Sequence, residues 1–235
     1  MYKTIDLVRV LEDLPIVAPG ILNTMFIVIL ASALGIAVGL LLAVARVNRV
    51  PVLNQLAVVY GSFMRGTPVI VQLFIVYYGL PMLFKQFFNI NLARMAKINF
   101  VIVAYGLNTS AVYSEIFRGA LSGVPIGQLE AAFSVGLTRW QAFRRIIAPQ
   151  AFLSALPGIS SCVIGLIENT SLAFTIGVVD IMGKVKVIGS ATEHYMEAYI
   201  CAAIYFIAMS LILRRIFSAV EKVLQSRVAG IGSAA

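Results

Sequence analysis

Long charge-free stretches alternate along the chain with short segments that carry its charged residues. We interpret five of these stretches as membrane-spanning helices, because each approaches the roughly 20 apolar residues that cross the hydrocarbon core of a bilayer. The predicted spans are residues 20–45, 57–80, 98–118, 146–178 and 198–213. Gly66 and Pro68 weaken a helix, so the second span is expected to be broken or kinked around 64–68. The pattern therefore predicts an all-α membrane protein.

The amino-acid composition supports this fold class. Of the 235 residues, 60% are hydrophobic and only 12% are charged, whereas a soluble domain carries about 25% charged residues. The net charge of +8 indicates Lys and Arg collected on cytoplasmic loops, and we predict no nucleic-acid partner. We divide the chain into an N-terminal lead-in at 1–19, a single transmembrane domain at 20–220 and a cytoplasmic C-terminal tail at 221–235.

The distribution of basic residues predicts the orientation of the five spans. Placing the N-terminus outside and the C-terminus in the cytoplasm puts more Lys and Arg on the cytoplasmic side than on the other, as the positive-inside rule requires. This orientation places the loop at 119–149 in the cytoplasm.

That loop contains a predicted helical hairpin. The segment QLEAAFSV favours a helix that reaches Gly136, and glycine suits the left-handed position that ends a helix. Thr138 and Gln141 have the spacing of a capping box that begins a second, basic helix, which ends at Pro149. The hairpin either docks another protein through its small residues or rests on lipid headgroups, and the local pattern leaves both readings open.

The hairpin also carries a family resemblance. Glu130, Ala131 and Ala132, followed at fixed spacing by Gly136 and further on by Ile146 and Pro149, resemble the EAA loop of the membrane subunits of binding-protein-dependent ABC importers. The match departs at Ala148, where the family usually has Leu. Segments 64–81, 111–132 and 166–181 resemble the polar amino acid permease branch of that family.

The resemblance implies a fold, a location and partners. The fold would be a type I ABC importer transmembrane domain, with five transmembrane helices and a cytoplasmic coupling helix, in a bacterial cytoplasmic membrane. The coupling residues would be Glu130, Ala131, Ala132 and Gly136. The implied partners are a cytoplasmic ABC ATPase dimer that binds ATP and Mg, an extracytoplasmic solute-binding protein, a second permease subunit (itself or a sister chain), membrane lipid and an amino acid substrate.

The chain itself carries no recognisable catalytic or cofactor motif. The nearest approach to a phosphate-binding loop, GVVDIMGK at 177–184, has the wrong spacing and lacks the final Ser or Thr. His194 is the single histidine, and Cys162 and Cys201 lie in apolar runs. We therefore predict no catalytic residue, no metal site and no cofactor in this chain, and an energy supply from a partner.

Polar residues within the predicted spans are the candidates for a solute path, because such residues are costly in a membrane. Ser161, Glu168, Ser171 and Thr175 are predicted to share one helix face. Ser62, Arg65 and Gln72 are predicted to share another. The predicted path residues are Thr67, Gln72, Asn108, Glu115, Glu168, Asn169 and Ser171.

Each candidate has an alternative role. Glu115 can instead form a structural salt bridge with Arg118 or Arg65, and residues 65–68 can serve only as a bend. Glu168 facing lipid would cost about 3 kcal/mol, and our hypothesis is that it faces a cationic group of the solute. The competing interpretation is a hydrogen bond between helices. The permease branch commonly has Lys and Asp where this chain has Glu168 and Asn169.

Two other function classes fit parts of the sequence. An ion-coupled secondary transporter or channel would use Glu115 and Glu168 as ion sites and would need no ATPase. An intramembrane enzyme would need a nucleophile with its base, or metal ligands. Within the importer interpretation the solute can be a polar amino acid, cystine or an opine-like derivative. The second permease subunit can be identical or different.

Overall fold

The computed structural model describes residues 5–232, and those residues form helices and connecting turns without a β-strand. The α-helices are α1 Leu7–Val17, α2 Gly20–Val47, α3 Leu53–Gly66, α4 Val69–Phe74, α5 Leu80–Phe88, α6 Lys97–Ser122, α7 Ile126–Ser134, α8 Arg139–Ala142, α9 Ala148–Thr170, α10 Ile181–Thr192 and α11 Tyr195–Gly232. Short π-helical turns at Ile75–Gly79 and Phe143–Ile147 join α4 to α5 and α8 to α9.

Within the described residues, five helical stretches have the length and apolar composition of a membrane span, as predicted. They are Gly20–Val47, Val69–Phe88, Lys97–Ser122, Arg139–Thr170 and Tyr195–Ser226. The predicted fold class, all-α with five membrane spans, is confirmed.

Helices α2 and α6 form the spine of the bundle because glycines let their backbones approach closely. A Cβ on Gly39 would lie 2.7 Å from the Cβ of Tyr113, and a Cβ on Gly106 would lie 2.6 Å from a methyl group of Leu34. Small residues at helix contacts are the usual means of close packing in a membrane, where lipid offers no hydrophobic drive. Helix α9 packs on the other side of α6 and carries the spine towards α11.

The second span is interrupted where the sequence predicts a break or a kink. Helix α3 ends at Gly66, and both Thr67 (φ −116°, ψ 142°) and Pro68 (φ −60°, ψ 136°) are extended. A proline disfavours helical geometry in the preceding residue and removes a backbone donor, so the chain breaks rather than bends. The interruption predicted at 64–68 is therefore present, and the apolar stretch after it runs over Val69–Phe88. The helix face predicted to be shared by Ser62, Arg65 and Gln72 is wrong, because the break separates Gln72 from the other two.

The fourth span also ends earlier than predicted. Helix α9 stops at Thr170, a 3-10 turn follows at Ala173–Ile176, and Gly177 is left-handed with φ +83°. Hydroxyl and amide side chains at this point compete with helical hydrogen bonds, and the Thr170 hydroxyl donates to the Ile167 carbonyl at 2.6 Å. The extension to residue 178 is wrong, so Thr175 does not share a helix face with Glu168.

Helices α1 and α10 pack around the end of the bundle opposite the α7–α8 hairpin. The Tyr205 hydroxyl on α11 donates to the Leu14 carbonyl of α1 at 2.8 Å. Asp180 caps α10 by accepting from the Gly183 amide at 2.8 Å, and a Cβ on Gly20 would lie 2.7 Å from the Ile181 nitrogen. These contacts fix α10 against the start of α2.

Asp180 is fully buried, and its second carboxylate oxygen has no hydrogen-bond partner. Burial raises the pKa of Asp180 to about 6, and backbone hydrogen bonds, among them the one from Gly183, oppose this rise only in part.

Helix α11 runs as one continuous helix through residue 220, while the division of the chain into lead-in, transmembrane domain and tail stays a prediction.

Candidate functional site

The α7–α8 hairpin has the local geometry that its sequence predicts. Gly136 follows α7 with φ +80°, and its amide donates to the Phe133 carbonyl at 2.9 Å. The Thr138 hydroxyl accepts from the Gln141 amide at 3.3 Å, and the Thr138 amide donates to the Gln141 side chain at 2.9 Å. This reciprocal pair is the predicted capping box, and it fixes the angle at which α8 leaves the turn.

The predicted coupling residues lie on two different sides of this hairpin. Ala132 is 2% exposed, because α7 packs on α8 and the following π-helical turn. Glu130, Ala131 and Gly136 are exposed, and near them Ile126 and Val135 also expose most of their surface. The small side chain at 132 therefore allows close packing inside the hairpin, while Glu130 and Ala131 are on the surface that a partner can reach.

Glu115 on α6 is the centre of an ion-pair cluster. Its Oε1 lies 2.6 Å from Arg46 Nη1 on α2 and 3.1 Å from Arg65 Nη2 on α3, and its Oε2 lies 2.9 Å from Arg118 Nε. One carboxylate thus joins three helices, and the structural salt bridge with Arg118 and Arg65 is present as the alternative interpretation expected. Arg46 was missed, although it is the charge that closes the first apolar run.

Three other predicted path residues form a hydrogen-bonded cluster at the break between α3 and α4. Gln72 Nε2 donates to the Thr67 hydroxyl at 2.6 Å and to the Met64 carbonyl at 2.8 Å. Asn108 Nδ2 donates to Gln72 Oε1 at 3.0 Å. Gln72 is only 4% exposed, so its side chain satisfies carbonyl groups that the broken helix leaves free.

Glu168 occupies a different environment, in a cleft between α9 and α11. The cavity has a volume of about 390 Å³. Its lining residues are Leu156, Pro157, Ser160, Ser161, Ile164, Gly165, Glu168, Arg214, Phe217, Ser218 and Glu221. Within the described residues, the Glu168 side chain has no ion pair and no hydrogen bond, including the helix–helix hydrogen bond that was its alternative role.

Asn169 and Ser171 lie beside this cleft without lining it. The Asn169 carbonyl accepts from the Tyr105 hydroxyl at 2.8 Å, and Ser171 is the first residue after α9. The structure therefore separates five of the seven predicted path residues into a closed cluster at Gln72, an ion-pair cluster at Glu115 and an open cleft at Glu168, and it places Asn169 and Ser171 in none of the three. Arg214 and Glu221 were missed, because they lie at the charged end of the last apolar run and resemble loop residues in sequence.

Comparisons with known proteins identify the family. Residues 35–226 match the family described as binding-protein-dependent transport system inner membrane component. The probable amino-acid permease protein YxeN of Bacillus subtilis (strain 168) is 41% identical over 210 residues, which are 89% of this chain and 92% of that protein. The L-cystine transport system permease protein TcyL of the same strain is 38% identical over 222 residues, covering 94% of this chain and 92% of the relative.

A solved structure agrees with this result. The crystal structure of an amino acid ABC transporter with histidines is similar at a TM-score of 0.81 and 29% sequence identity, covering 94% of this chain and 99% of the solved chain. The similarity therefore extends over the spans, the hairpin and the α9–α11 cleft.

Proposed function

Because the chain belongs to the binding-protein-dependent transport system inner membrane component family, we propose that it carries polar amino acids, or a close analogue such as cystine, as the membrane-spanning permease subunit of an ATP-driven importer. The names of its relatives support this solute class. The observation that carries the proposal is an ordered hairpin whose exposed face includes Glu130 and Ala131. A helical hairpin of this kind suits a groove on a partner protein.

The helix path gives the hairpin a mechanical role. Arg139–Thr170 runs from α8 through a π-helical turn into α9 without a loop, and Glu168 lies near its far end. A displacement of the hairpin is therefore applied directly to the helix that forms one wall of the cleft. The ATPase partner supplies ATP and Mg binding and hydrolysis. This chain contributes the docking face, the lever and the solute path.

Glu168 is the residue that we assign to the solute. Its carboxylate lies in a membrane-spanning helix and lines a cavity without an ion-pair partner in the described part of the chain. Such a group binds an ammonium or guanidinium cation, and intramembrane acids commonly line solute paths. Thr67, Gln72 and Asn108 are assigned to the break between α3 and α4, where they hold the backbone in place, and Glu115 to the ion-pair cluster.

We assign the remaining partners from the family. A solute-binding protein would deliver the solute at the outer face, where the N-terminus is placed by the distribution of basic residues. A second permease subunit, identical or a sister chain, would complete the path. The exposed apolar side chains of Val69–Phe88, such as Phe87 and Met82, are available to that subunit or to lipid.

Co-purification tests the ATPase partner. The tagged chain is purified from its native host in mild detergent, and its partners are identified by mass spectrometry, for wild type and for Glu130→Lys. Glu193→Lys, at the end of α10 and far from the hairpin in the fold, is the matched control. We expect one ATPase with wild type and with the control, and its loss with Glu130→Lys. Uptake in liposomes driven by an ion gradient alone, with no ATPase present, would overturn the proposal.

A further inference from the structure

The α9–α11 cleft holds charges of both signs, of which Glu221 accepts a hydrogen bond from Gln225 Nε2 at 3.1 Å. Glu168 projects from α9, and Arg214 and Glu221 line the same cavity from α11. Within the described residues, none of the three takes part in an ion pair. In the Glu115 cluster, by contrast, all three arginines lie within 3.1 Å of a carboxylate oxygen.

Arg214 on α11 and Glu168 on α9 occupy corresponding positions in the lining of the cleft. Successive spans cross a membrane in opposite directions, so the end of α9 that lies far from the hairpin is next to the earlier part of the α11 lining. Glu168 and Arg214 are the lining residues farthest from the hairpin on their respective helices. Glu221 follows Arg214 by two helical turns, or about 10 Å along the axis, towards the hairpin. A base and an acid therefore line the same cavity from its two opposite helices.

We propose that Arg214 binds the α-carboxylate of the solute in this cleft while Glu168 binds its α-ammonium group. The guanidinium is permanently charged and presents its donors in a planar fork that matches a carboxylate. A zwitterionic amino acid satisfies both unpaired charges at once. The cavity volume of about 390 Å³ is in the range of small-molecule sites, about 300–1,000 Å³. This assignment rests on the proposed function and adds the residue that recognises the carboxylate.

An anionic lipid headgroup is the competing occupant. Arg214 also belongs to a basic surface with Arg215 and Lys222 along α11. The cleft itself, however, contains the carboxylates of Glu168 and Glu221, which repel a phosphate that brings no cation with it. Serine hydroxyls at positions 160, 161 and 218 also line the cleft, and they suit a small polar solute. The charge pattern therefore favours a zwitterion.

The test uses the complete transporter in liposomes, with wild-type ATPase and wild-type binding protein throughout. Wild type is first screened with the twenty amino acids and L-cystine. Uptake of the solute that it carries is then measured as a function of concentration for Arg214→Gln, Arg214→Lys and Arg215→Gln. Because the binding protein is the same in every sample, its own selectivity cancels between variants. Arg215, the neighbouring residue outside the cleft lining, is the matched control.

We expect Arg214→Gln to raise the solute concentration for half-maximal uptake by about tenfold to a hundredfold, the usual effect of losing a charge-assisted hydrogen bond. Arg214→Lys should recover part of this loss, and Arg215→Gln should behave like wild type. A competition measurement adds a second readout. The decarboxylated form of the solute, such as cystamine for cystine or agmatine for arginine, has no carboxylate for Arg214 to bind. It should therefore inhibit solute uptake equally well in wild type and in Arg214→Gln.

Several results would overturn the assignment. If Arg214→Gln and Arg215→Gln match wild type, Arg214 does not bind the solute. If Arg214→Gln lowers only the maximal rate and leaves the half-maximal concentration unchanged, its role is structural. If the defect appears in liposomes with phosphatidylglycerol and is absent in phosphatidylcholine, the occupant is a lipid headgroup. If wild type carries no amino acid in the screen, the proposed function fails, whatever Arg214 does.

Discussion

Two glutamates in membrane-spanning helices have opposite surroundings. Glu115 lies among three arginines from three helices, with every ion pair at 3.1 Å or less. Glu168 lies in a cleft whose only cation, Arg214, is not within ion-pair distance in the described chain. A carboxylate with its full set of partners ties helices together, whereas one without partners is available to a solute. Residue type and membrane position alone do not distinguish the two roles.

Removing the charge of Glu115 should have the largest effect on stability. Breaking a fully buried ion pair by removing one partner costs about 3–5 kcal/mol. Because Arg65 and Arg118 are partly exposed, we expect a cost of about 2 kcal/mol for Glu115→Gln. The thermal unfolding midpoint in detergent should fall clearly, and the double variant Arg46→Gln, Glu115→Gln should recover part of the loss. An unchanged midpoint would make Glu115 a second free acid and remove the contrast.

Asp180 provides a third carboxylate, which is buried and accepts a backbone hydrogen bond but forms no ion pair within the described residues. Its pKa is about 6 in the folded protein, above the ordinary value of 3.8. Between these values the folded state holds a proton that the unfolded state has released, so the stability contributed by this group falls as pH rises from about 4 to 6.

The Asp180 prediction is measured as a difference between two chains. Asn at position 180 keeps an oxygen for the Gly183 amide and loses the titration. Wild type should lose thermal stability relative to Asp180→Asn between pH 4 and pH 6, and the two should run parallel above pH 7. Parallel curves across the whole range would show that this carboxylate does not hold a proton in the folded state.

The cluster at the α3–α4 break should be less costly to disturb than the Glu115 cluster, because its groups are neutral. Gln72→Met keeps the approximate shape and removes the hydrogen bonds to Thr67, Met64 and Asn108. Leaving buried polar groups unsatisfied costs about 1–3 kcal/mol, and we expect the lower end, about 1 kcal/mol, because Thr67, Met64 and Asn108 are only partly buried. Ser62→Ala, on the exposed face of α3, is the control. A thermal midpoint equal to that of Ser62→Ala would show that the break is held by Pro68 alone.

The success of the sequence-based predictions follows the range of the interactions involved. The number of spans, the capping box at Thr138 and the left-handed Gly136 were predicted correctly, because apolar length and local hydrogen bonds decide them. The sequence predicted either a break or a kink around 64–68 and did not distinguish the two, since the pattern does not show how many backbone bonds the proline removes. Arg46 and Arg214 were missed because their roles depend on which helices become neighbours.

Glu168→Gln is the smallest structural change and the sharpest test of the comparison. The side chain has no partner to lose in the described structure, so the thermal midpoint should stay within the range of a surface substitution, about 0.5 kcal/mol in free energy. Uptake of every amino acid that the chain carries should nevertheless weaken, because Gln attracts the α-ammonium group far less than a carboxylate does. Glu221→Gln, in the same cleft nearer the hairpin, is the matched control for nonspecific loss of negative charge. If Glu168→Gln destabilises the protein as much as Glu115→Gln, the carboxylate is a structural link between helices, and the cleft loses its assigned ammonium partner. If stability and uptake are both unchanged, the solute passes the cleft without contacting Glu168.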